Sequence, residues 1–151
     1  MVDKPSFMSE PDPEHPGWLN WKMSDDRRFN TQILGKTIVR LEAEGRARVR
    51  MFPMIRHSNL MNNIHGGATL AFIDVALFGA ARVFGLIEAG TAVTLDLSVQ
   101  FIGAGKIDVP LDAEVELLRQ TRRFLFLRGL IVQDDGRIAS FSGTIKRPSP
   151  R

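Results

Sequence analysis

Residues 68–84 read ATLAFIDVALFGAARVF, and this stretch decides the fold. It consists mostly of good helix formers, it contains no proline, and Gly85 stands where such a helix would end. Apolar residues occupy nearly every face of the helix, which indicates burial on all sides. The sequence therefore predicts one long, buried central helix over 68–84.

The segments on both sides of this helix alternate between apolar and polar residues, which is typical of β-strands. Strands are expected at 39–43, 46–51, 93–101, 112–117, 124–132 and 137–146. The segment 124–132, FLFLRGLIV, is almost continuously apolar, which predicts a central strand covered on both faces. An antiparallel sheet wrapped around one long central helix places the fold in the α+β class.

The composition favours a single globular domain. The chain has 151 residues, of which 44% are apolar, and this is enough for one continuous hydrophobic core. A net charge of +3 is too small to indicate nucleic-acid binding by itself. The absence of cysteine excludes disulfides and thiolate metal sites. His57 and His65 have no third ligand nearby, so no metal is expected.

The first 17 residues differ from the rest of the chain. Prolines at positions 5, 11, 13 and 16 disfavour helix, and large apolar groups are few, so we expect a flexible, extended arm over 1–17 and a single domain over 18–147. One short helix is expected within 18–34. We see no targeting signal and no uninterrupted apolar run of about 18 residues, so a soluble, cytoplasmic protein without a membrane partner is expected.

Asp74 is the residue that most strongly suggests chemistry. It is the only charged residue of the predicted helix before Arg82, and its neighbours three and four positions away are all apolar. Burial of an unpaired carboxylate costs several kcal/mol or more, so a helix retains one there only for a reason. Either Asp74 serves as a general base, or it caps a loop or pairs with an arginine from a strand.

A second feature is the segment His65-Gly66-Gly67 at the start of the predicted helix. Two glycines allow a substrate to approach the backbone, and the unpaired N–H groups of a helix N-terminus favour developing negative charge. These are the requirements of an oxyanion hole, although a plain loop-to-helix joint is the alternative. Asn59 adds an uncharged side chain that can hold a water or an acyl carbonyl.

The string from Asn59 to Gly67, NLMNNIHGG, followed seven residues later by Asp74 in an apolar helix, resembles hotdog-fold acyl-CoA thioesterases of the phenylacetate-pathway type. The resemblance extends from about Phe29 to Lys146. It implies an antiparallel sheet around one central helix and hydrolysis of an acyl-CoA thioester to free acid and coenzyme A. Coenzyme A would be part of the substrate, with no separate cofactor.

The resemblance also assigns roles at the site. Asp74 matches the family's general base or nucleophile, and the Gly67 N–H matches the donor that polarises the thioester carbonyl. Asn59 would place water or substrate, His65 would support the loop, and Thr94 is the best match for an assisting hydroxyl on the next strand. The family shares each site between two subunits, which implies a homodimer or a dimer of dimers and gives Asp74 a partner subunit's loop to face.

The chain departs from the family pattern at two places. Many relatives have glycine where this chain has Asn62, and their common Gly-Arg turn is replaced here by Thr121-Arg122-Arg123. Substrate contacts are expected at Gly66 and, for the phosphates, at four cationic side chains. Those side chains are Lys106, Arg119, Arg122 and Arg123.

Two other functions remain as alternatives. A hotdog enoyl hydratase or dehydratase would need His57 or His65 as the base for a carbon acid. A non-catalytic acyl-CoA-binding module would keep the pocket without turnover. Asp74 favours hydrolysis over both, because it puts a carboxylate in the apolar helix and a pure binding module has no evident use for it.

Overall fold

The computed structural model describes residues 6–88, 91–134 and 136–149. Within these ranges the strands are Phe7–Met8 (β1), Leu19–Asn20 (β2), Lys22–Met23 (β3), Thr37–Ala43 (β4), Arg46–Met51 (β5), Val93–Phe101 (β6), Leu111–Gln120 (β7), Phe124–Gln133 (β8) and Gly136–Lys146 (β9). The helical elements in the same ranges are one α-helix at Gly66–Val83 (α1), a π-helical turn at Asn30–Leu34 and a 3-10 turn at Ile55–His57.

Seven of these strands form one antiparallel sheet in the order β2-β4-β5-β7-β8-β9-β6. β1 and β3 form a separate two-stranded ribbon. The predicted hairpin is confirmed as β4 and β5, with Gly45 in the turn at a φ of 67°. β6 lies at one end of the order, so one of its edges has no neighbouring strand among the described residues.

The predicted central helix is confirmed, and it begins at Gly66, two residues earlier than expected. Phe72, Ile73 and Leu77 of α1 are fully buried in the main hydrophobic cluster, together with inward-facing residues of the sheet. Gly85 follows the helix with a φ of 73°, the left-handed conformation that glycine adopts at a helix end. The α+β architecture predicted from the sequence is therefore correct.

The prediction that the helix is buried on all sides is wrong for the single chain. Gly67 and Leu70 are exposed, and Asp74 and Phe78 are only partly buried. These residues recur at intervals of three and four, so they lie on one face of α1. The sheet covers the opposite face and leaves this one open.

β8 also differs from its prediction. Leu125, Leu127 and Ile131 are buried towards α1, whereas Phe126 and Arg128 point to the other side of the sheet and are exposed. The strand therefore has one covered face in the single chain. The sequence did not show the open face, because Phe126 on that face is apolar and interrupts the expected alternation of apolar and polar residues.

The N-terminal segment packs on the domain. For residues 6–17 this corrects the prediction of a flexible, extended arm. The Phe7 ring stacks on Trp21 with 4.4 Å between ring centroids, and Asp12 is only 4% exposed. Backbone hydrogen bonds join Asp12 to Trp18 and Asn20 to Glu10. Residues 6–17 therefore belong to the folded unit, and residues 1–5 lie outside the described ranges.

The short helix expected within 18–34 is present only as the π-helical turn at Asn30–Leu34. Trp18 and Trp21 flank β2 instead of sharing a helical face. Both indoles are 5% exposed, so their spacing of three reflects tertiary packing and not a helix.

α1 is long and apolar enough to cross a membrane by length and composition alone. Half of this stretch is buried inside the protein, as is also expected of a core helix. The absence of a membrane partner stays a prediction.

Candidate active site

Asp74 lies in the middle of the open face of α1, and its partner comes from the neighbouring strand. Thr94 on β6 donates its hydroxyl to Oδ1 of Asp74 at 2.7 Å. Oδ2 has no hydrogen-bond partner among the residues that the structure describes. The structure thus brings together two residues that the resemblance had linked, and it leaves one carboxylate oxygen available to a ligand.

The loop before α1 is held by Asn59. Its Oδ1 accepts the N–H of Met61 at 2.9 Å and that of Asn63 at 3.2 Å. Asn62 takes a φ of 59°, a left-handed conformation that asparagine tolerates better than most residues. It occupies the position at which many relatives have glycine. Asn59 therefore fixes the loop through its oxygen, while its amide N–H groups make no hydrogen bond with the described residues.

His65 is the N-cap of α1, and it pairs with the N–H that was expected to be free. Its Nδ1 accepts the Gly67 N–H at 2.8 Å. An N-cap side chain satisfies one of the first donors of a helix in this way. The Gly67 N–H, which the resemblance matches to the oxyanion donor, is therefore already bonded within the chain.

Gly66 keeps the free donor at the helix N-terminus. The N–H groups of Ala68 and Thr69 both bond to the carbonyl of His65, at 2.9 and 3.1 Å. The Gly66 N–H has no acceptor within the described ranges. It is therefore the N–H of the first turn that can receive a ligand oxygen without breaking a bond.

Asp74 and Gly66 of one chain are too far apart to act on the same atom. They are eight positions apart along α1, which corresponds to about 12 Å at 1.5 Å per residue. A nucleophilic water and an oxyanion donor must both lie about 3 Å from one carbonyl group. Within one chain, Asp74 and the Gly66 N–H therefore cannot both contact one carbonyl group.

A groove of about 240 Å³ opens beside the helix N-terminus. Its lining includes the large residues Phe29 and Ile33 and the small residues Ala68 and Ala71 of α1. His57 also lines the groove, and its ring is bonded to the backbone of Ile33.

Both nitrogens of the His57 ring are in use. Nε2 lies 2.5 Å from the carbonyl oxygen of Ile33, and Nδ1 accepts the Met54 N–H at 2.8 Å. The ring is 2% exposed, so it joins two segments of backbone and has no free nitrogen for a substrate.

The four cationic side chains fall into two groups in the single chain. Lys106 lies at the helix N-terminal end, where it pairs with Asn63 in an isolated bridge. Arg119, Arg122 and Arg123 lie at or near the β7–β8 turn, where they are exposed and form no ion pair with any described residue. This turn is tied to the segment after α1, because the Arg147 guanidinium bonds to the carbonyls of Leu86 and Thr121.

One cluster has the composition of a metal site, but a lysine occupies it. The ligand atoms of Asp12, Glu14 and His15 lie within 4.8 Å of one another. Lys36 places its Nζ 3.0 Å from Asp12 and 2.7 Å from Glu14. Burial alone would raise the pKa of Asp12, but hydrogen bonds from His15, Lys36 and the Glu14 N–H outweigh it and lower that pKa. Asp12, Glu14, His15 and Lys36 therefore form a network of ion pairs within the chain.

Comparison with known families and structures gives the identity of the fold. The model of the thioesterase superfamily matches residues 61–140, which is more than half of the chain and includes Gly66, Asp74 and Thr94. The chain belongs to the thioesterase superfamily. Comparison with curated protein sequences gave no significant match.

Solved structures with a similar fold include proteins named for the same activity or pathway. The TT0310 protein from Thermus thermophilus is 26% identical with a TM-score of 0.64, over 78% of this chain and 95% of that one. A mutant of the phenylacetic acid degradation protein PaaI from the same organism is also 26% identical, with a TM-score of 0.64, over 78% and 96% of the two chains. The resemblance to hotdog thioesterases of the PaaI type is therefore confirmed.

A third structure shares the fold. It is a hypothetical thioesterase protein with coenzyme A from Streptococcus pneumoniae, 22% identical with a TM-score of 0.68, over 79% of this chain and 91% of that chain.

Helix-capping geometry indicates which of Gly66 and Gly67 keeps a free N–H. An N-cap side chain bonds to the N–H of the second or third helical residue. With His65 as N-cap, the second residue is Gly67, and Gly66 at the first position is left free. The groove lining at Phe29 and Ile33 had no such signal in the sequence, because it depends on how a distant segment packs against α1.

Proposed function

We propose that this thioesterase hydrolyses an acyl-CoA to a free acid and coenzyme A at a site shared between two subunits. The observation that carries the proposal is the Asp74 carboxylate, half-buried in an apolar helix face and hydrogen-bonded by Thr94 at 2.7 Å. A carboxylate oriented by a hydroxyl, with one oxygen free, is suited to activate water or to attack a thioester.

Asp74 acts as general base or as nucleophile. As a base, its free oxygen takes a proton from a water while the water oxygen bonds to the thioester carbonyl carbon. The carbon–sulfur bond then breaks, and the coenzyme A thiolate leaves and takes up a proton. Thr94 holds the carboxylate in one orientation through both steps, which makes it a positioning residue.

Gly66, rather than Gly67, supplies the oxyanion donor in this proposal. Its N–H is free at the positive end of the α1 dipole, where negative charge is stabilised. His65 supports this role by binding the neighbouring Gly67 N–H and so fixing the first turn of the helix. The amide N–H groups of Asn59 are a second donor at the same end of α1.

A second copy of the chain completes the site. One edge of β6 is unpaired among the residues that the structure describes, and β6 carries the exposed apolar residues Val93, Leu95 and Phe101. Such an edge favours pairing with another strand. Two β6 edges joined antiparallel about a two-fold axis would also set the two α1 helices antiparallel. Asp74 of one chain would then approach the N-terminus of the partner helix. The N-terminus of its own helix lies about 12 Å away along α1, too far to act on the same carbonyl group.

The same arrangement would bring together the two groups of cationic side chains that are separate in the single chain. In an antiparallel pair, the N-terminal end of one helix lies beside the C-terminal end of the other. Lys106 of one chain and the Arg119–Arg123 region of its partner would then lie at the same end of the dimer. Exposed arginines without ion pairs within the described ranges are suited to the phosphates of coenzyme A. The groove beside Phe29 and Ile33 is our candidate for the acyl group, because it adjoins the Gly66 turn.

The two alternatives are weaker than hydrolysis. A hydratase needs a histidine base, but both nitrogens of His57 bond to backbone, and Nδ1 of His65 accepts the Gly67 N–H. A binding module without turnover has no use for a carboxylate oriented by Thr94 on an open helix face.

The test is hydrolysis of a panel of short, medium, long and aryl acyl-CoAs, with thiol release as the readout. We expect turnover of at least one class, and Asp74→Asn should lower kcat by roughly a hundredfold or more on that substrate. Asp26→Asn, an exposed aspartate outside the proposed site, is the matched control and should leave kcat unchanged. An unaltered kcat in Asp74→Asn would overturn the role of this residue.

A further inference from the structure

A second cavity lies between the N-terminal segment and the C-terminal half of α1. It has a volume of about 270 Å³ and contains none of the residues proposed for catalysis. Its lining includes Leu19, Trp21, Gly79, Arg82 and Val83. The volume far exceeds the roughly 30 Å³ that one water occupies, so an organic molecule fits there.

Trp21 brings an unsatisfied hydrogen-bond donor to this cavity. The side chain is 5% exposed, and its Nε1 has no hydrogen-bond partner in the part of the chain that the structure describes. A buried N–H without an acceptor costs about 1–3 kcal/mol, which favours a ligand that accepts this bond. The Cδ1–Nε1 edge of the indole lies next to Gly79, another residue of the lining, 3.8 Å from the position that a Cβ on Gly79 would take.

Arg82 brings a positive charge to the same lining. Its guanidinium forms no ion pair and no side-chain hydrogen bond with the residues of the described ranges. Ser9 adds a hydroxyl, and the remaining lining side chains of Leu19, Val39 and Val83 are apolar. The cavity therefore combines an indole N–H, a cation and a hydroxyl with an apolar wall, and no carboxylate of the described residues lines it.

We propose that this cavity binds a small carboxylate that carries an apolar substituent. The carboxylate would accept hydrogen bonds from Trp21 Nε1 and the Arg82 guanidinium, the kind of charge-assisted bonds that are strongest in proteins. The substituent would lie against Leu19, Val39 and Val83. The proposal concerns a binding site separate from the Asp74 site, so it stands whether or not the chain hydrolyses thioesters.

The two tryptophans of the chain make the site directly observable. In a ¹⁵N-labelled sample of the full chain the indole N–H groups give two resonances, and Trp21→Phe assigns that of Trp21 while retaining a ring to stack on Phe7. Benzoate is the probe, and benzamide is its uncharged counterpart. We expect benzoate to shift the Trp21 resonance saturably and to leave the Trp18 resonance in place, whereas benzamide and inorganic phosphate shift neither.

The charge requirement is tested with Arg82→Gln. This variant should weaken benzoate binding at the Trp21 resonance at least about tenfold, as expected for loss of a charge-assisted hydrogen bond. Arg128→Gln, which removes an arginine paired with Glu116 elsewhere on the sheet, is the control and should bind as the parent does. The proposal fails if the Trp21 resonance does not shift, if benzamide or phosphate shifts it saturably, or if Arg82→Gln binds benzoate as tightly as the parent.

Discussion

His65 Nδ1 accepts the N–H of Gly67 at 2.8 Å, and this bond decides which donor of α1 remains for a substrate. Because the second helical N–H is capped and the next two bond to the His65 carbonyl, the free donor of the first turn is the Gly66 N–H. A cap and an oxyanion donor thus occupy adjacent positions. The arrangement keeps the helix end ordered without using the N–H that the reaction needs.

Proline tests the Gly66 donor without removing the helix. Gly66 is the first helical residue, where proline is favoured, and His65 before it is extended, as proline requires. Gly66→Pro should therefore fold and yet lack the N–H. Loss of one oxyanion donor lowers kcat by about 10²–10³, so we expect a decrease of that size in the thiol-release assay.

Gly66→Ala is the matched control for this variant. It keeps the N–H, and its Cβ would lie 3.5 Å from Phe101, an ordinary contact. Its kcat should stay within a few-fold of the parent. If Gly66→Pro retained the parent's kcat with the same melting temperature, the oxyanion role would pass to another donor.

Thr94 is expected to act through Asp74. Thr94→Val removes the hydroxyl at nearly constant volume and frees the carboxylate to rotate. A hydrogen bond to a charged group contributes about 1.5–3 kcal/mol, so kcat should fall roughly tenfold or more with little change in KM. Thr94→Ser restores the hydroxyl and should recover most of the rate. Equal activity of the valine and serine variants would show that the bond has no catalytic importance.

The ion-pair network of the N-terminal segment predicts acid sensitivity. The pKa of Asp12 lies below its ordinary value of 3.8, because hydrogen bonds from His15, Lys36 and the Glu14 N–H outweigh its burial. A carboxyl with a lowered pKa in the folded state stabilises the fold above the unfolded pKa, and this stabilisation is lost as the pH falls. The free energy of unfolding should therefore decrease as the pH falls below about 4.

Denaturant titrations at a series of pH values between about 3 and 7 measure this loss. Asp12→Asn should show lower stability at neutral pH and a smaller decrease upon acidification than the parent. Asp26→Asn is again the control. Parallel pH profiles for Asp12→Asn and the parent would contradict this account of the network.

Local patterns in the sequence were sufficient for most of the fold. The alternation on both sides of Gly45 gave the β4–β5 hairpin, and the apolar run ending at Gly85 gave α1. Both depend on residues close together in the chain. Asp74 stood out for the same reason, because its apolar neighbours three and four positions away could be read directly.

The errors concern features that depend on distant segments. Trp18 and Trp21 have helical spacing, yet each packs against a different neighbour, with Trp18 beside Arg40 and Trp21 on Phe7. The open face of β8 carries Phe126, so the run showed no alternation that would reveal it. Only the packing of the sheet on one side of α1 decides which faces remain uncovered.

The central claim is that each active site combines Asp74 of one chain with Gly66 of another, and mixed dimers test it most directly. Differently tagged Asp74→Asn and Gly66→Pro chains, each inactive alone, are co-expressed, and the mixed species is purified through both tags. If the sites are shared, one of the two sites in each mixed dimer has both residues intact, and thiol release should recover to about half the parent's rate. No recovery in a verified mixed dimer, or full activity of the parent as a monomer, would contradict the account.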